Sequence, residues 1–209
     1  MLLSGSLTIA AHYLRLPRPI LIHVFKPLTG ILLVATALVP GTFRADPYAR
    51  LIGLGLLFSL FGDVWLMLPR DRFLYGLVSF LLAHACYIFA FLTPTPAYMF
   101  VLAALPLSVI GAIVLAYLWP GLPARLKGAV GFYVVVIVLM ATLAASRAMS
   151  RLSTGTLLAA IGAFLFLASD AVLAIERFRR RFRLARASVL GSYFAGQLMI
   201  ALSVGVPAP

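Results

Sequence analysis

The feature that most constrains this chain is a succession of apolar blocks, each close to the roughly 20 residues a helix needs to cross a bilayer. Seven are long enough to cross alone: 20–39, 48–68, 73–93, 97–119, 126–145, 153–175 and 185–205. The breaks between them carry turn formers, among them Pro40 with Gly41, Pro69, Pro94 with Pro96, and Pro120 with Gly121. Hydrocarbon offers the backbone no hydrogen-bond partners, so a spanning segment of this length must satisfy its own, as a helix does. A shorter block at 2–14 lacks a basic leader and a clear small-x-small cleavage site, and reads as a retained first helix. The expectation is an all-α polytopic membrane bundle of eight transmembrane helices, seven strong and one short. Residues 1–209 then form a single transmembrane domain with no soluble domain. Composition agrees: 64% of the 209 residues are hydrophobic and the mean hydropathy is +1.11, against about 45–50% apolar in soluble domains.

A net charge of +12 raises the question of nucleic acid. The Lys and Arg residues lie almost wholly in the short breaks, where they orient helices and meet anionic lipid rather than form a soluble basic face. No nucleic-acid partner is expected. The single Cys86 sits inside an apolar block, which excludes an intrachain disulfide.

With eight spans, alternate loops fall on opposite sides. One side collects Arg15 and Arg18, Arg70 and Arg72, Arg125 and Lys127, and six arginines between Arg177 and Arg186, twelve charges in all. The other side has four: Arg44, Arg50, Arg147 and Arg151. The positive-inside rule makes the first side cytoplasmic and both termini non-cytoplasmic. The expected location is a bacterial cell (inner) membrane, with anionic lipid at the cytoplasmic Arg-rich loops.

Five acidic residues exist. Asp46, Asp71 and Glu176 fall at membrane ends, where water and headgroups solvate them. Asp63 and Asp170 do not. An Asp at the centre of a spanning helix costs about 2.5–3.5 kcal/mol on insertion scales. Asp63 lies six residues before Pro69, and Asp170 six before Glu176; both are thus roughly 9 Å inside the cytoplasmic end. Lys26 and Tyr193 fall near the same layer, with His84 closer to the midplane. Ser59 stands one turn from Asp63, Tyr87 one from His84, and Gln197 one from Tyr193, so each pair shares a helix face. Gly53, Gly55, Gly62 and Gly162 mark close approach of helices. His12 and His23 read as interfacial. A purely structural reading makes Asp and Lys a packing pair; two acids and one intramembrane base leave one acid over, and intramembrane acids mark function. The stretches "FSLFGDVWLML" and "LFLASDAVLAI" align on their acids, suggesting a parallel 4+4 repeat.

Taken together, "FKPLTGILL", "LLFSLFGDVWLML", "FLYGLVSFLLAHACY", "GAFLFLASDAVLAIERF" and "YFAGQLMIA" resemble the YhhN-like lysoplasmalogenase family. The resemblance runs from the block at 20–39 to the last; the short first helix departs from it. It implies eight spans and hydrolysis of the vinyl-ether bond of lysoplasmalogens, a lysophospholipid substrate taken from within the membrane. The family's acids fall on Asp63 and Asp170, its histidine on His84 and its lysine on Lys26. Ser59, Tyr87, Ser169, Tyr193 and Gln197 stand in the matching motifs and, with Lys26, are expected to bind substrate. No metal and no cofactor is expected.

The chemistry fits those residues. A vinyl ether is hydrolysed by protonation at its β-carbon, capture of the oxocarbenium ion by water, and collapse of the hemiacetal to aldehyde and alcohol. Such a site wants one neutral carboxyl and one carboxylate. His84 is suited to position water or pass a proton, and Lys26 with the Arg-rich rim to hold phosphate. The rival reading is a proton-coupled transporter or exporter using the same acids. A zinc hydrolase resembling alkaline ceramidases fails on ligand count, since His84 alone lies well inside a strong span.

Overall fold

A computed structural model of the chain describes residues 19–38, 46–69, 72–181 and 183–205. Among these, seven α-helices follow one another: α1 Pro19–Leu38, α2 Pro47–Met67, α3 Phe73–Phe91, α4 Ala97–Leu118, α5 Ala124–Ser150, α6 Thr154–Phe178 and α7 Ala185–Leu202, with a 3-10 turn at Trp119–Gly121 after α4. The fold is a helical membrane bundle. Five helical stretches are long and apolar enough to cross a membrane: Pro47–Met67, Phe73–Phe91, Ala97–Gly121, Ala124–Ser150 and Thr154–Phe178; Phe25–Leu38 of α1 forms a shorter apolar stretch. The expected strong span at 185–205 is weaker than its block suggested, because Arg186, Ser188, Ser192 and Gln197 dilute α7. The short block at 2–14 and His12 lie outside the described residues, as do Arg70 and Asp71.

Local sequence explains the helix ends. Asp46 accepts a hydrogen bond from the Tyr48 amide at 2.9 Å and caps α2, with Pro47 opening the first turn. Ser153 and Thr156 form a capping box at the start of α6, side chain to backbone in both directions.

Contacts group the helices into two compact units, Met1–Ala90 and Phe91–Pro209. In the first, glycines let large rings lie flat on α2. A Cβ on Gly55 would collide with the Tyr87 ring, and one on Gly62 would stand 2.7 Å from Cε2 of Phe80. Gly30 of α1 receives Leu60 in the same manner. In the second unit, α4 packs on α5, α5 on α6 and α6 on α7. The α6–α7 seam is backbone on backbone: a Cβ on Gly162 would meet the Gly196 carbonyl oxygen at 2.7 Å, and one on Gly196 would meet that of Gly162 at 2.8 Å. On α4, buried Ala103, Leu107, Gly111 and Leu118 make a single stripe, while Leu102 and Ile113 are more than 60% exposed on its other side. An apolar exterior of this kind is what a lipid solvent asks of a helix.

Candidate active site

In the first unit, Lys26 Nζ of α1 lies 2.7 Å from Asp63 Oδ1 of α2, with the acid side chain 2% exposed and the lysine 13%. A buried carboxylate is tolerable when a full positive charge meets it at hydrogen-bond distance. Ser59, one turn before Asp63, is also buried, and its hydroxyl finds no hydrogen-bond partner among the described residues. His84 and Tyr87 are fully buried on α3, the tyrosine ring pressed onto Gly55.

In the second unit, Asp170 of α6 is half-buried and accepts a hydrogen bond at Oδ2 from the Tyr133 hydroxyl of α5. Its neighbour Ser169 donates to the Val189 carbonyl of α7 at 3.0 Å. Tyr193 packs edge-on against Phe166, ring centroids 5.4 Å apart. Gln197, one turn further along α7, is buried.

Lys26 and Asp63, expected at one depth, are joined directly in the structure. Tyr133 is not among the residues expected from the sequence. Depth along the helices was the one available hint, and it does not give facing: Tyr133 lies nine residues after Ala124 at the start of α5, and Asp170 eight before Phe178 at the end of α6. Both are roughly 12–14 Å from helix ends that lie on one side of the α5–α6 pair. Two further acids assigned to solvated ends have definite partners, since Asp46 caps α2 and Glu176 lies 3.4 Å from Arg186. Among the described residues, no three His, Cys, Asp or Glu side chains gather into a metal-binding group.

At the ends of the helices carrying the denser positive charge, cations rest on aromatic rings. Arg72 lies 5.2 Å from the Trp65 ring in the first unit; Lys127 lies 5.0 Å from Trp119 and Arg179 4.7 Å from Tyr117 in the second. Such pairs suit the headgroup layer, where aromatic rings and basic side chains concentrate.

Residues 21–204 match the family model described as the YhhN family. A membrane protein named YhhN from Escherichia coli, uncharacterized by its own title, is 34% identical over 181 residues, covering 87% of this chain and 86% of the relative. The cattle protein named lysoplasmalogenase TMEM86A is 31% identical over 172 residues, 78% of this chain and 68% of its own length. A Mycobacterium bovis protein named lysoplasmalogenase is 32% identical over 183 residues, 84% of this chain and 67% of its own. No solved structure matches. With its run of apolar spans, this is an integral membrane protein, and from residue 21 to residue 204 the chain belongs to the YhhN family.

Proposed function

We propose that the protein is a membrane-embedded hydrolase that cleaves the vinyl-ether bond of lysoplasmalogens, releasing a fatty aldehyde and a glycerophospho-base. Relatives named lysoplasmalogenase support the substrate class. The observation that carries the chemistry is the Asp63–Lys26 pair, a carboxylate buried in an apolar helix and held beside an ammonium. A negative charge kept there is suited to steady an oxocarbenium ion, which is electrostatic stabilisation aimed at where charge develops. Asp170 supplies a second carboxyl for proton transfer, and His84 is assigned to water or proton relay. Ser59, Tyr87, Ser169, Tyr193 and Gln197 are assigned to substrate contact. No metal takes part in this mechanism.

The test is aldehyde release from a lysoplasmalogen by the purified full chain in detergent. Asp63→Asn and Asp170→Asn should each remove most of the turnover while the protein stays folded, since general acid–base help is worth about 10²–10⁴-fold. The double variant should be little worse than either single one, because groups serving one transition state are non-additive. EDTA should leave the rate unchanged. Near-normal turnover in both single variants would take the two acids out of the mechanism, and no aldehyde release from the unaltered chain, with solute moving across sealed vesicles, would favour proton-coupled transport instead.

A further inference from the structure

Arg179 follows the last residue of α6, and a neighbour without a side chain sets its place. A Cβ on Gly121, in the turn after α4, would collide with the Phe178 carbonyl oxygen and stand 3.1 Å from Cδ of Arg179. A bare glycine is what lets the end of α6 come this close. Alongside, Leu118 and Leu122 pack with Ala174, Ile175 and Phe178, so the turn and the helix end form one edge.

The Arg179 stem runs past Gly121, and its guanidinium carbon lies 4.7 Å from the centre of the Tyr117 ring, four residues earlier. A planar cation stacked on a ring is partly ordered before any anion arrives. Tyr117 also ends an apolar stripe of α4, since Val109, Ile113 and Tyr117 recur every four residues and all three are exposed. A guanidinium thus stands at the head of a strip of apolar surface. We infer that this edge is a defined site for one anionic phospholipid, its phosphate on Arg179 and an acyl chain along Val109, Ile113 and Tyr117.

Charge selects the headgroup. Residues 91–209 contain two acids, Asp170 and Glu176. Asp170 lies nine residues before Arg179, roughly 14 Å along the helix, and Glu176 lies 3.4 Å from Arg186. Arg125, Lys127, Arg177, Arg180 and Arg181 stand at the same end of the helices as Arg179. A choline or ethanolamine cation would enter that surplus of positive charge, whereas a net negative headgroup is drawn to it. A free phosphate has no use for the stripe. Diffuse attraction to an arginine-rich loop depends on how many charges the loop carries; a site depends on which residue carries them. The site is separate from the chemistry proposed above and stands whatever reaction the protein performs.

The measurement is native mass spectrometry of the purified full chain in neutral detergent, titrated with dioleoyl phosphatidylglycerol, dioleoyl phosphatidylcholine or inorganic phosphate. One phosphatidylglycerol per chain should bind about tenfold or more tighter than phosphatidylcholine, and inorganic phosphate at equal concentration should not displace it. Arg179→Gln should weaken phosphatidylglycerol binding about tenfold or more, the scale of a hydrogen bond between charged groups. Arg181→Gln removes the same charge from the same loop and should weaken it no more than about threefold. Tyr117→Leu keeps the charge count and the apolar stripe, and should weaken binding about two- to fivefold by freeing the guanidinium. All three side chains are exposed, so each variant should melt like the unaltered chain when no lipid is added. Equal losses in the two arginine variants would leave diffuse attraction alone, and an unchanged affinity in Tyr117→Leu would remove the ring from the site; either result overturns the inference. Equal binding of phosphatidylcholine overturns it too, as does displacement by inorganic phosphate, the mark of a plain anion site.

Discussion

A lysine whose ammonium sits against a buried carboxylate has a different job from one that merely greets a phosphate, and substitution separates the two. Removing one partner of a buried ion pair typically costs about 3–5 kcal/mol, because the other charge is stranded. Lys26→Met should therefore lower the melting temperature in detergent and reduce kcat, with Asp63→Asn on top restoring part of the stability. A lysine used for phosphate alone would raise KM and leave melting unchanged. Lys26 and Asp63 were legible in the sequence because ionised side chains are rare in apolar runs, and position along each run gave their depth. Tyr133 was not. A tyrosine is ordinary in a membrane helix, and only the facing of α5 against α6 reveals that it meets Asp170. The partners of Asp46 and Glu176 escaped for a related reason, since a charge at a predicted membrane end looks solvated whatever cap or ion pair it makes.

Helices in lipid gain little from hydrophobic burial against one another, so close backbone packing matters more. The Gly162–Gly196 seam is such a contact. Gly162→Leu should lower stability in detergent by about 1–3 kcal/mol, the usual cost of overpacking. Gly128→Leu on α5 is the control, because a Cβ there meets nothing within 4 Å. Equal melting of the two variants would show that the seam does not matter. Gly55, Gly62 and Gly162 were readable as small positions in apolar runs, and they do receive Tyr87, Phe80 and Gly196. The last block holds α7, which is not among the helices long and apolar enough to cross a membrane by composition. Its apolar residues satisfy a length criterion, yet Arg186 and Gln197 lower its affinity for hydrocarbon, and its buried face is set by α6.

For the whole molecule, the proposed orientation rests on the charge asymmetry of the loops alone. Trp65, Tyr117 and Trp119, each under a basic side chain, stand at the ends assigned to the cytoplasm. A reporter fused after Pro209 should lie outside the cytoplasm, and one inserted among Arg179 to Arg183 inside it. The reverse labelling would move the two acids to the opposite leaflet. The helical class was legible because length and hydropathy alone dictate it. The proposed 4+4 repeat rests on the aligned acids alone.

The reciprocal glycine seam also bears on biogenesis. With Arg186 and Gln197 aboard, α7 is a reluctant passenger for a translocon that sorts segments by their partition into lipid. A preceding helix with a bare backbone strip at Gly162 offers it a docking track as it emerges, so the two would enter the bilayer as a hairpin. On that view the glycines serve first as a guide for insertion, and the ordering of Ser169 and Asp170 follows from it.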